Sequence, residues 1–316
     1  MKKNLKHKAF LFLLCVSCVL IFTGCENLFN KLSEQNIPEI KTKTLFVAVG
    51  NGGVTYYSTD GIKWKAGNGI SGNLLGVTYG AGKFVAVGDS GAAYYSTDGI
   101  KWQAGSGATG DLRDVTYGAG KFVAVGMSNT ANYSTDGIKW KAGNGISGNL
   151  LGVTYGAGKF VAVGDSGAAY YSTDGIKWQA GSGATGDLRD VTYGAGKFVA
   201  VGMSNTANYS TDGIKWKAGN GISGDLYGVT YGIRKLVAVG LSGATYYSKD
   251  GINWKAGSGA TGTFYGVTYG AGKFVAVGDS GATYYSTDGI KWQAGSGLSG
   301  DFQGVTCRMY NPGYID

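Results

Sequence analysis

Ser58-Thr59-Asp60-Gly61-Ile62-Lys63-Trp64 decides the fold, because the chain keeps returning to it. Copies of this phrase, one of them with Lys249 and Asn253 in place of Thr and Lys, close on Trp102, Trp140, Trp178, Trp216, Trp254 and Trp292, each 38 residues after the last, which makes seven units. A fixed period with one supersecondary unit per repeat marks a solenoid, an array or a propeller. It overrides the reading of 316 residues as two average domains. The 59 glycines and only 2 prolines, set among abundant Tyr, Trp, Phe, Val and Thr, suit many short strands joined by tight turns.

Glycines divide one unit into four short runs, 75–79, 83–87, 92–96 and 102–104, the four strands of a blade. The second, Phe84-Val85-Ala86-Val87, is apolar at every position, as expected of a strand covered on both faces by neighbouring sheets. A β-solenoid would also cover both faces, but its coils are shorter and lack hairpin signals such as Asp98-Gly99. The periodic region opens on a second strand, 45–49, and ends on a first strand, 304–306, so the two orphans complete one blade and remove the exposed edges. The expected fold is all-β: a seven-bladed β-propeller of four-stranded, 38-residue repeats, closed by the C-terminal strand.

The repeated phrase resembles the Asp-box (BNR) repeat of bacterial propellers, and the resemblance covers all seven units. The common form has one residue between Asp and Gly, whereas here the two are adjacent. The resemblance implies a hairpin between third and fourth strands, remote from any catalytic centre. Physical chemistry agrees: Asp60, Asp98, Asp136, Asp174, Asp212, Asp250 and Asp288 accept backbone N–H groups in the turn, the next glycine takes positive φ, and Trp64 and its copies pack beneath.

At the N-terminus Lys2, Lys3, Lys6 and Lys8 precede an apolar run, 9–22, too short to span a bilayer. It ends in Thr23-Gly24-Cys25, which resembles the lipobox of bacterial lipoproteins, with Phe22 where Leu is usual. The relaxed form is similar to that of spirochaetal lipoproteins. The resemblance implies a signal peptide over 1–24 and a lipid on Cys25, with a plain secretory signal the alternative; the expected location is the bacterial cell envelope, as an outer-membrane lipoprotein exposed at the surface, with a periplasmic orientation the alternative. Residues 25–43 are polar, hold all three glutamates (Glu26, Glu34, Glu39) and read as a tether to a propeller over 44–316. Removing 1–24 takes away four lysines and the only histidine, His7, lowering the formal charge from +8 to about +4, too little to imply a nucleic-acid partner. Cys25 and Cys307 are the cysteines left, so a lipidated Cys25 leaves Cys307 without an internal disulfide partner.

Asp-box propellers include sialidases, whose site needs three arginines and a tyrosine activated by glutamate. Here the arginines are Arg113, Arg189, Arg234 and Arg308, and no glutamate follows Glu39. Without a mature histidine there is no Ser/His/Asp triad, no histidine metal ligand and no usual general base. Most aspartates recur once per blade in turns, so two carboxylates converging on one substrate would require broken symmetry. Gly80-Ala81-Gly82-Lys83 recurs as a hairpin turn with no helix after it, which excludes a phosphate loop. Calcium at Asp89, Asp165 or Asp279 finds too few ligands. No enzyme, cofactor or metal is expected. The Tyr56-Tyr57 and Tyr94-Tyr95 pairs read as packing between blades.

Residues 65–140 and 141–216 are identical, so differences among the other units carry the information. They concentrate in two loops. Before the first strand one column holds Leu75, Arg113, Leu151, Arg189, Tyr227, Tyr265 and Gln303. Between second and third strands another holds Gly52 or a near neighbour, then Asp89, Met127, Asp165, Met203, Leu241 and Asp279. Alternate turns of a meander lie at the same end, so both columns share one face, opposite a constant face of Gly-Ala-Gly turns and Asp-boxes. A varied face on a constant scaffold is how repeat proteins present binding sites. The expected function is a monomeric, multivalent adhesion module for a host protein or glycan; the alternative is an envelope assembly scaffold.

Overall fold

The computed structural model describes residues 43–310, so the expected signal peptide, Cys25 and nearly all of the expected tether lie outside the described residues. Each unit forms one antiparallel sheet of four strands, seven sheets in all. In blade 2 they run from the axis outward as Leu74–Gly80, Lys83–Gly88, Ala93–Ser96 and Gln103–Ala104. We call these the inner, second, third and outer strands. Outer strands of two residues leave little unpaired edge to recruit another chain.

Blade 1 joins the two ends of the propeller. Its inner strand, Phe302–Tyr310, pairs with Lys43–Gly50, from Lys43 opposite Tyr310 to Gly50 opposite Phe302, ahead of Thr55–Ser58 and Lys65–Ala66. The orphan strands therefore complete each other, as the repeat phase predicts.

The core lies between blades. Val85 and Val87 of blade 2 pack against Leu112, Val115, Phe122 and Ala124 of blade 3 with Trp140, while Phe84 and Ala86 turn the other way, onto Leu45, Val47 and Val49 of blade 1. A second strand thus serves two cores at once, which is why it is apolar at every position. A single blade could bury neither face; each fully buried Phe or Val contributes about 1.5–3 kcal/mol only once its neighbour is in place.

The Ser-Thr-Asp-Gly-Ile-Lys-Trp phrase forms the turn between third and outer strands. In blade 1 the Ile62 and Lys63 amides donate to Asp60 Oδ1 at 2.8 and 2.9 Å, and the Gly61 amide donates to Ser58 Oγ at 2.9 Å. Gly61 has φ +71°, and a Cβ there would stand 2.7 Å from Val275 Cγ2 of blade 7, so conformation and contact both demand glycine. Six of the tryptophans are buried and Trp102 is half-buried. All seven turn carboxylates sit below the usual range. For Asp136, Asp174 and Asp212 the largest cause is the amide of the lysine three residues on. For Asp60, Asp98, Asp250 and Asp288 burial is the largest single effect and opposes the shift, but amides and the serine hydroxyl together outweigh it.

The hairpin joining inner and second strands departs from the expected constancy in blade 6. There Gly-Ala-Gly becomes Gly232-Ile233-Arg234, with Ile233 at φ +42° and Arg234 at φ +60°. The tyrosine pairs do bridge structural elements: Tyr94 donates to the Ser71 carbonyl of the preceding loop at 3.1 Å, and Tyr95 to Gln103 Oε1 on the outer strand at 2.6 Å. Among the described residues Cys307 has no disulfide partner, and burial pushes its thiol up to about 12, which keeps it protonated at neutral pH.

Candidate site at the axial mouth

The seven divergent residues occupy the same register, second in each inner strand, so ring symmetry carries one from every blade to a common rim. Together they line a cavity of about 250 Å³ at one end of the axial channel. The chemistry is ordered around the rim. Leu75, Arg113, Leu151 and Arg189 alternate apolar and cationic over blades 2 to 5; Tyr227 and Tyr265 stand side by side over blades 6 and 7, their ring centroids 5.3 Å apart at 42°; Gln303 of blade 1 completes the circle.

The second variable column meets the first. Arg113 pairs with Asp89 at 3.6 Å and Arg189 with Asp165 at 3.9 Å, and Arg189 also donates to Met203 Sδ at 2.7 Å. Tyr265 donates to Asp279 Oδ2 at 3.1 Å; burial first, then this carboxylate, pushes its hydroxyl up to about 12. Half-exposed ion pairs of this length contribute about 0–1 kcal/mol, so they position the guanidinium groups without locking them. In blade 1 the second column begins at Asn51, where the loop Asn51–Gly53 matches Asp89–Gly91. The loop aspartates are thus engaged by arginine or tyrosine, and among the described residues no three His, Cys, Asp or Glu side chains gather as metal ligands.

One residue further along each inner strand, symmetry breaks in a way that the reading of carboxylates as turn residues missed. Blades 3 and 5 carry Asp114 and Asp190 where the other five have Gly76, Gly152, Gly228, Gly266 and Gly304. Both face the channel beneath the mouth. Asp114 accepts the amides of Val115 at 2.7 Å and of Val153, in the next blade, at 2.8 Å; Asp190 accepts Val191 at 2.7 Å and Val229 at 2.8 Å. Each carboxylate therefore staples two inner strands. Protein surrounds them on all sides but the channel, so burial pushes both carboxyls up, and the charge of Asp114 raises Asp190 further. Inner strands are close here: a Cβ on Gly76 would stand 2.7 Å from Asp114 Cα. The signal was present in sequence as a column reading Gly, Asp, Gly, Asp, Gly, Gly, Gly, next to the column from Leu75 to Gln303.

No protein-family model and no curated protein matches the chain. Solved structures do. The WD40 β-propeller domain of Doa1 superposes with a TM-score of 0.62 at 13% identity, over 81% of this chain and 89% of that one. YCF48 bound to a D1 peptide gives 0.57 at 19% identity, over 75% of this chain and 91% of that one. YCF48 from Cyanidioschyzon merolae gives 0.56 at 17%, over 77% and 96%. Likeness at these identities is one of fold: the chain is a seven-bladed β-propeller, an architecture compatible with a protein-binding or scaffold module.

Proposed function

We propose that this propeller is a binding module of the bacterial cell envelope and not an enzyme, held to the outer membrane by a lipid on Cys25, displayed at the surface, and taking a host protein or glycan at its axial mouth. The observation that carries the reading is the convergence of the seven divergent side chains on one cavity. Seven blades therefore contribute to one composite site in place of seven separate weak ones. Its chemistry suits a ligand with an anionic group for Arg113 and Arg189 and a flat or apolar portion for the Tyr227–Tyr265 pair. YCF48, a propeller of the same fold, has been solved with a D1 peptide bound, which supports a peptide as one such ligand. The Ser-Thr-Asp-Gly-Ile-Lys-Trp turns belong to the scaffold in this reading, as shortened Asp-boxes.

The test is binding of the purified protein to glycan and matrix-protein arrays, beside a variant with Arg113, Arg189, Tyr227 and Tyr265 all replaced by Ala. The variant should lose binding yet stay folded and melt within about 10 °C of the parent, since the four side chains are half-buried and each replacement costs about 0.5 kcal/mol, at roughly 2–4 °C per kcal/mol. A variant that binds normally refutes the site.

A further inference from the structure

The two faces of the disc carry opposite charge. Around the mouth Asp89, Asp165 and Asp279, with Asp111, Asp187, Asp225 and Asp301 before the inner strands, outnumber Arg113 and Arg189. On the opposite, basal face every hairpin between inner and second strands ends in a lysine (Lys83, Lys121, Lys159, Lys197, Lys235, Lys273), and six of the seven outer turns add an exposed lysine such as Lys63. With Arg234 and Lys249 these outnumber the seven turn aspartates two to one. The bonds from Lys159 Nζ to the Asp212 carbonyl at 3.1 Å and from Lys235 Nζ to the Asp288 carbonyl at 2.7 Å show that both sets of turns share this face. Lys43, where the chain enters the propeller, opens its strand at this basal end, opposite Tyr310.

Departures from the repeat on this face gather in blade 6. Its hairpin exposes Ile233, 44% accessible and one of only two large apolar side chains exposed among the described residues, followed by Arg234 and Lys235. A β-branched residue at φ +42° is a costly choice where five other blades use alanine. The neighbouring turn exchanges threonine for Lys249, and a cavity of about 220 Å³ opens there, lined by Tyr247, Lys249, Asp250, Asn253 and Lys255. Lys235 lies 5.9 Å over the Tyr247 ring and links hairpin to cavity. An apolar tip ringed by cations on a basic face is the arrangement that inserts at the boundary of an anionic bilayer.

We propose that the basal face docks on an anionic lipid bilayer, with Ile233 as the inserted tip and Arg234, Lys249 and Lys255 gripping phosphate head groups. This contact does not depend on a lipid at Cys25. It complements one, because Cys25 lies 18 residues before Lys43, a reach of at most about 60 Å, and the chain joins the disc on this same face, leaving the mouth turned outward.

The experiment uses the propeller without its N-terminal segment, since all seven cores and the closing strand lie within residues 43–310. Vesicles of phosphatidylcholine alone and with phosphatidylglycerol are sedimented with it at about 0.1 M and about 1 M salt, where the screening length falls from roughly 10 to 3 Å. Binding should require phosphatidylglycerol and be released by salt. The variant Ile233→Ala, Arg234→Gly, Lys249→Thr restores the residues of the other blades; at about fivefold per lost cation it should bind at least about 25-fold more weakly and melt no lower. The four-alanine mouth variant should bind vesicles as the parent does, which separates this surface from the ligand site. The proposal is overturned by equal binding to both vesicle types, by no binding, by a blade 6 variant that binds normally, or by retention of double-stranded DNA in place of vesicles.

Discussion

Ring closure can be tested by one side chain measured against its own internal control. Phe302 on the closing strand and Phe264 in blade 7 occupy the same register, and both are fully buried. Phe264 packs with Val237, Val239, Phe274, Ala276 and Trp292, and Phe302 packs with Val275, Val277, Phe46, Ala48 and Trp64, the same set one blade further on. Tyr284 and Tyr56 stack edge-on against them, each at 5.3 Å. Truncating a buried Phe to Ala costs about 3–5 kcal/mol, and a domain of this size loses roughly 2–4 °C of melting temperature per kcal/mol. Phe302→Ala and Phe264→Ala should each lower the melting temperature by about 6–20 °C, as followed by circular dichroism and urea titration, and by the same amount within error. Equality is the informative result, because an open ring whose last strand hangs free would leave Phe302 exposed in both forms. Phe302→Ala within about 1 kcal/mol of the parent, beside a fully destabilised Phe264→Ala, would refute closure.

Stability should also carry a signature of the channel carboxylates. Folding raises the pKa of both Asp114 and Asp190 through burial, so the folded state binds more protons than the unfolded one and stability falls as pH rises above the ordinary carboxylate value of about 4. The seven turn carboxylates are lowered by folding, and their contribution is lost as pH falls below the ordinary carboxylate value. Melting should therefore be highest in mildly acidic solution, and Asp114→Gly with Asp190→Gly should flatten the alkaline decline while keeping the acid one; an unchanged slope would show that the pair is not coupled to folding. Cys25→Ser should release the protein into the soluble fraction when membranes are washed at about 1 M salt, which also screens the basal-face contact, and a variant still lipidated, through Cys15 or Cys18, would move the anchor site.

Blade number, strand order and the closing strand were legible in the sequence because a propeller is one local rule applied seven times. A 38-residue period, a glycine at each chain reversal and a second strand apolar on both sides are decided within a unit and its two neighbours. The column from Leu75 to Gln303 could be picked out for the same reason: against identical repeats, a position that changes is conspicuous. What a linear pattern does not contain is the radius of the ring. Only closure decided that seven positions 38 residues apart meet across one cavity, that Asp114 reaches the amide of Val153 and Asp190 that of Val229 in the next blade, and that these carboxyls are raised when those in the turns are lowered. The same aspartate side chain is solvated at the rim and enclosed near the axis, and distance from the axis is a property of the assembled ring.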